Sequence, residues 1–156
     1  MSHKTNGNIP KKMAHNMIIS WIQFFSSIWM MTIIWFVQIV HYPLFSYIPF
    51  EARTHYAGHH QKKISWLVIP GMLIELGSLC LLFNHLDRVT WLGLMGLLTV
   101  IWASTFCLQV PCHQRLLNSP TDAVCKRLTL TNWIRTICWT LKTVWFSTIL
   151  LSVMTH

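Results

Sequence analysis

The sequence predicts an all-α integral membrane protein, a four-helix bundle with a short amphipathic surface helix between helices one and two. Three observations lead there. First, 53% of the 156 residues are apolar and only 10% are charged, against roughly a quarter charged in a soluble domain. Second, nine Trp and eight Phe exceed what a small soluble core needs, whereas amphipathic rings collect where bilayer meets water. Third, four long apolar runs, 17–40, 64–86, 89–110 and 130–153, each have about the 20 residues that cross a hydrocarbon core of roughly 30 Å. The runs are continuous rather than alternating, which excludes a membrane β-barrel.

Taken in order, residues 1–16 read as a polar N-terminal tail, disordered at first, and residues 17–156 as the four-helix domain. Lys4, Lys11 and Lys12 before an apolar run give the tail the look of a signal peptide. No small-x-small cleavage site follows, and the run is long enough to span, so it is kept as helix one. His41-Tyr42-Pro43 marks an interfacial break, because proline disfavours helical geometry in the residue before it. Pro49 followed by Glu51 starts the amphipathic helix, which runs to about Lys63 and either lies near the membrane surface or leads straight into helix two. Pro70-Gly71 is expected to kink helix two. A tight turn from Asn84 to Thr90 makes helices two and three antiparallel neighbours. Gly93 and Gly96 in helix three permit close packing without forming the GxxxG spacing. Ser119-Pro120-Thr121-Asp122 reads as a helix start, followed by a basic segment that leads into helix four.

The net charge of +8 would suit nucleic acid, but the basic residues sit at helix ends rather than on one soluble face, which points to anionic lipid head groups instead. Membrane lipids are thus the expected partners, and nucleic acid is not. Arg53, Lys62, Lys63, Arg115, Lys126 and Arg127 share the side of the two longer loops, against Lys4, Lys11, Lys12 and Arg88 on the other. Positive-inside counting leans towards cytoplasmic longer loops and leaves the orientation open. The five cysteines include no CxxC pair, so a dithiol redox centre is not expected. Cys112 and Cys125 flank one loop and could be bridged in an oxidising compartment.

The polar residues fall mainly on one side. Gln38 and His41 close helix one at i and i+3; Gln109 and His113 close helix three at i and i+4, so each pair shares a face. Glu51, His55 and His59 follow i, i+4, i+8, and two imidazoles at i and i+4 make a workable metal pair, although the Glu of HExxH is missing. Asn132, Arg135, Trp139 and Lys142 form a polar stripe along helix four. Intramembrane charges face the bundle interior and find partners. Glu75, the one acidic residue inside a span, matches Lys142 in depth and is expected to pair with it, or with Arg135 if helix two begins later.

The segments Val37-Gln38-Ile39-Val40-His41-Tyr42-Pro43-Leu44-Phe45, His55-Tyr56-Ala57-Gly58-His59-His60, Gln109-Val110-Pro111-Cys112-His113 and Asn132-Trp133-Ile134-Arg135-Thr136 resemble signatures of a small bacterial four-helix membrane protein family of no established activity. The resemblance implies the architecture and a bacterial inner membrane, and no chemistry. Length and helix count are also similar to the membrane glutathione transferases and to quinone-linked thiol oxidoreductases. The Arg-rich cofactor motifs of the former cannot be placed here, and the paired cysteines of the latter are missing.

The residues therefore lead to an expectation of a membrane-embedded metalloprotein, an oxidoreductase-like enzyme acting on a lipophilic small molecule near one membrane face. His41, His55, His59 and His113 are the expected metal ligands, for Fe, Cu or Zn. Glu75 is the carboxylate or proton relay and Arg135 the clamp for an anionic group. Gln38, Gln109, Asn132 and Lys142 complete the pocket. Non-covalent haem on two of the histidines is a further option. The alternatives are a proton- or metal-coupled transporter, which with four helices requires a homo-oligomer, and a non-catalytic lipid-binding or assembly protein.

Overall fold

The computed structural model describes residues 8–155, with side chains from Met13. All described elements are helical and no strand occurs among them. Helix one runs Asn8–Phe36, widens through a π-turn at Val37–His41, and ends in the short turns Tyr42–Leu44 and Phe45–Tyr47. Helix two is Phe50–Leu81, closed by a 3-10 turn at Leu82–Asn84. Helix three is Arg88–Ser104, which widens at Thr105–Gln109 and continues as Val110–Asn118; helix four is Asp122–Thr155. All four are long and apolar enough to cross a membrane. At 1.5 Å per residue each approaches or exceeds about 45 Å, longer than a hydrocarbon core of roughly 30 Å, so the ends of the rods project beyond it.

Helix one begins at Asn8, ahead of the expected start; the rest of the tail, residues 1–7, lies outside the described residues. No separate surface helix occurs among the described residues; the segment leads straight into helix two. Residues 50–63 are the first turns of the unbroken helix Phe50–Leu81, because nothing between Lys62 and Ser65 breaks a helix. Pro70 is accommodated within the same rod. In the same way the basic segment before residue 130 belongs to helix four.

The expected break at His41-Tyr42-Pro43 is a bulge instead. The Tyr42 N–H reaches back to the Val37 carbonyl, and the Val110 N–H to that of Thr105, each one residue further than an α-helix reaches. In both cases proline follows, Pro43 and Pro111. Its ring crowds the preceding turn and it lacks the N–H that would tighten it, so the turn opens. Both wide turns carry polar residues of the site, Gln38 and His41 in one and Gln109 in the other.

Three apolar clusters fill the bundle. Ile19, Leu79, Leu82, Leu94, Leu98 and Phe146 pack at the tight-turn end. Met30, Ile34, Met72, Ile101 and Trp139 form the middle. Tyr42, Phe45, Ala57, Leu116 and Leu128 close the loop end together with Cys112 and Cys125, whose thiols are free. Of the two glycines noted in helix three, only Gly93 serves close packing: a Cβ there would run into the Trp145 ring of helix four, whereas Gly96 faces open space.

Arg53 ties the loops together. Buried itself, it donates to the carbonyls of Ser46 (3.1 Å), Ile48 (3.1 Å) and Pro120 (2.7 Å) and to Asp122 Oδ1 at 2.8 Å. One guanidinium thus fixes both connections on this side of the bundle.

Candidate functional site

Two buried polar layers cross the bundle. In the deeper one, Lys142 Nζ donates to Glu75 Oε1 at 2.6 Å and to Ser27 Oγ at 2.7 Å, and Trp139 Nε1 donates to Glu75 Oε2 at 2.7 Å. Of the two partners open to Glu75, Lys142 is the one it meets, and both side chains are fully buried. Gln23, Ser27 and Ser78 continue the network across helices one and two. Every charge in this layer has a partner of opposite sign.

The layer nearer the loops is built around Arg135. Gln38 Oε1 accepts from Asn132 Nδ2 at 2.8 Å, which turns the Asn132 oxygen towards the guanidinium. Arg135 Nε donates to that oxygen at 3.0 Å and a terminal nitrogen donates to it as well. The other contacts of Arg135 are longer, 3.4 Å to Tyr42 Oη and 3.5 Å to Thr105 Oγ1. Tyr42 Oη in turn lies 3.0 Å from His113 Nε2. Gln109 donates to Thr131 at 2.8 Å, but its Oε1 is buried with no partner, as is His113 Nδ1.

Among the described residues no acidic side chain compensates Arg135. The sequence has four acidic residues: Glu75 takes Lys142, Asp122 takes Arg53, Asp87 caps helix three through the Thr90 N–H, and Glu51 lies exposed in the first turn of helix two. An arginine only 6% exposed without an opposite charge is costly by several kcal/mol in a low-dielectric interior. It lines a cavity of about 400 Å³. Met30, Ile34, Val68 and Met72 form apolar walls, and Tyr42, Gln109 and His113 line the cavity beside Arg135.

The four expected metal ligands do not come together. His55 and His59 sit on the outward face of helix two, exposed, with their Nε2 atoms 3.3 Å apart. The inward stripe of that helix is Arg53, Ala57 and His60, at i, i+4 and i+7, so the stripe Glu51, His55, His59 turns away from the bundle. His41 stacks on His60 with ring centres 3.8 Å apart, and His60 lies 5.9 Å from His113. Stacked rings do not aim their nitrogens at one point. Among the described residues no group of three His, Cys, Asp or Glu side chains could hold a metal ion.

Of the other expected site residues, the structure brings Gln38, Asn132, Arg135, Gln109 and His113 to one layer and places Glu75 and Lys142 in the next. Tyr42 was missed: sequence reading treats it as part of a proline-marked break, and only the neighbouring His41 and Pro43 hint at its place. His60 and Thr105 were likewise not singled out as site residues.

Fold and site together define a four-helix bundle of membrane-spanning length with a buried cation lining an apolar cavity. No family model matches the chain, nor does any curated protein or solved structure.

Proposed function

We propose that this protein binds, within a membrane, a lipophilic molecule that ends in an anionic group, and that Tyr42 and His113 serve as a proton donor and acceptor beside that group. One observation carries the reading: Arg135 is buried in the wall of an apolar cavity, and no acidic side chain among the described residues neutralises it. Its Nη1, whose hydrogen-bond contact is a long 3.5 Å to the neutral Thr105 Oγ1, favours an incoming anion, which would form the shorter charge-assisted bonds that this partner does not. The Tyr42–His113 hydrogen bond supplies the geometry of general acid–base chemistry at the same place. This keeps the expectation of a lipophilic substrate and an enzyme-like site, and moves its centre from the scattered histidines to Arg135.

The test is extraction of the protein in detergent and mass measurement of whatever remains bound, for wild type and for Arg135→Gln. A lipophilic anion that copurifies with wild type and is depleted in the variant supports the reading. A bound species that is neutral, or an anion retained equally by both, refutes it.

A further inference from the structure

The cavity lacks a wall on one side. Helix one packs along helices two and four, and helix four along helix three. Helices two and three, by contrast, meet mainly at their ends. At the turn, Trp91 Nε1 donates to the Leu79 carbonyl at 2.9 Å. At the loop side, Leu117 lies 3.6 Å from where a Cβ on Gly58 would be. Between these contacts the helices part, and the cavity reaches the outside of the bundle past Ile69 and Leu73 on one lip and Phe106 on the other. Each of the three is more than half exposed.

These lips are apolar and carry no charge. Facing water they would be a liability; facing acyl chains they are a matched surface. A water-borne ion would have to lose its hydration before passing them, whereas a molecule already dissolved in the bilayer meets nothing it must shed except around its head group. The volume of about 400 Å³ is near the lower end of the roughly 300–1,000 Å³ range for ligand pockets. One acyl chain suits it, and the two chains of a phospholipid do not. The single guanidinium in its lining matches one carboxylate in charge and in its pair of oxygens.

We infer that the occupant is a single-chain anionic amphiphile, a long-chain carboxylate, that moves in sideways from the bilayer through the window between helices two and three. The inference rests on reading Arg135 as the anion site, and adds the kind of molecule and its route.

The experiment uses the full chain in phosphatidylcholine nanodiscs, with oleate, oleyl alcohol and dioleoyl phosphatidate as probes. Both the amount bound at equilibrium and the rate of oleate uptake are measured. Wild type is expected to take oleate in preference to the other two, and Arg135→Gln to weaken oleate binding by roughly tenfold or more, the scale of one charged hydrogen bond. Leu73→Trp and Phe106→Trp, which add bulk to the lips, are expected to slow uptake more than they lower the amount bound. Preference for dioleoyl phosphatidate, or uptake of none of the three by wild type, refutes the single-chain carboxylate. Unchanged uptake rates in both lip variants refute the window while leaving the anion site standing. Oleyl alcohol bound as tightly as oleate and unaffected by Arg135→Gln removes the anion site itself.

Discussion

Lys142 Nζ lies 2.6 Å from Glu75 Oε1, and neither side chain is exposed. Seven residues before Lys142, two turns along the same helix, Arg135 is almost as deeply buried and has no acidic partner. A bundle that neutralises one of the two buried cations of helix four from within and leaves the other to neutral contacts separates a structural charge from a receptive one. The contrast between these two residues underlies the predictions that follow.

Removing one member of the Glu75–Lys142 pair leaves the other buried and uncompensated. Glu75→Leu and Lys142→Met are each expected to destabilise the protein by about 3–5 kcal/mol. The double variant Glu75→Leu/Lys142→Met is expected to recover most of that loss, since an apolar pair of similar volume escapes the desolvation cost. Denaturation in mixed micelles measures all four states of the cycle; additive losses would mean the two groups act independently.

Arg53 has a different task. Its removal frees the carbonyls of Ser46, Ile48 and Pro120 together with Asp122. Arg53→Ala is expected to cost about 2–4 kcal/mol and, more specifically, to open the two connections it spans. Limited proteolysis should then show new cleavage around residues 46–49 and 119–121, with the tight turn at Asp87 unaffected.

The turn itself gives a pH dependence. Hydrogen bonds from Thr90, through its side chain and then its backbone N–H, hold the Asp87 carboxyl below its ordinary value of 3.8. A carboxyl lowered in the folded state stabilises above its unfolded value, and the contribution fades as the pH falls from there through the folded value. Asp87→Ala should therefore be less stable than wild type at neutral pH, with the difference shrinking below about pH 4. A difference that stays constant down to pH 2.5 would show that the ionised cap contributes nothing.

Much of the fold was legible in the sequence because span length and composition are nearly sufficient in a bilayer: the four apolar runs are the four helices. The depth match of Glu75 and Lys142 followed from counting turns, and that pair meets. What was not legible depended on rotation about a helix axis. The stripe Glu51, His55, His59 is regular, but so is Arg53, Ala57, His60 one face over, and nothing in the spacing says which turns inward. The Ala57 position, small and apolar among polar neighbours, was the available signal. The two π-turns were hidden for a similar reason. Pro43 was readable as a break, and whether a rod ends or merely widens depends on packing against its neighbours. Tyr42 went unnoticed because a tyrosine near a membrane end is ordinarily an interfacial anchor, and only the burial of its hydroxyl between Arg135 and His113 sets it apart.

The central claim, that Arg135 waits for an anion on a lipophilic body, is tested most directly by ligand-linked stability. A ligand that binds only the folded state raises the melting temperature with its concentration. Oleate added to detergent-solubilised wild type, against oleyl alcohol at equal concentration as control, should raise the transition progressively, and the rise should vanish in Arg135→Gln while persisting in His59→Ala. An equal rise in wild type and Arg135→Gln, or none in wild type, would contradict the account.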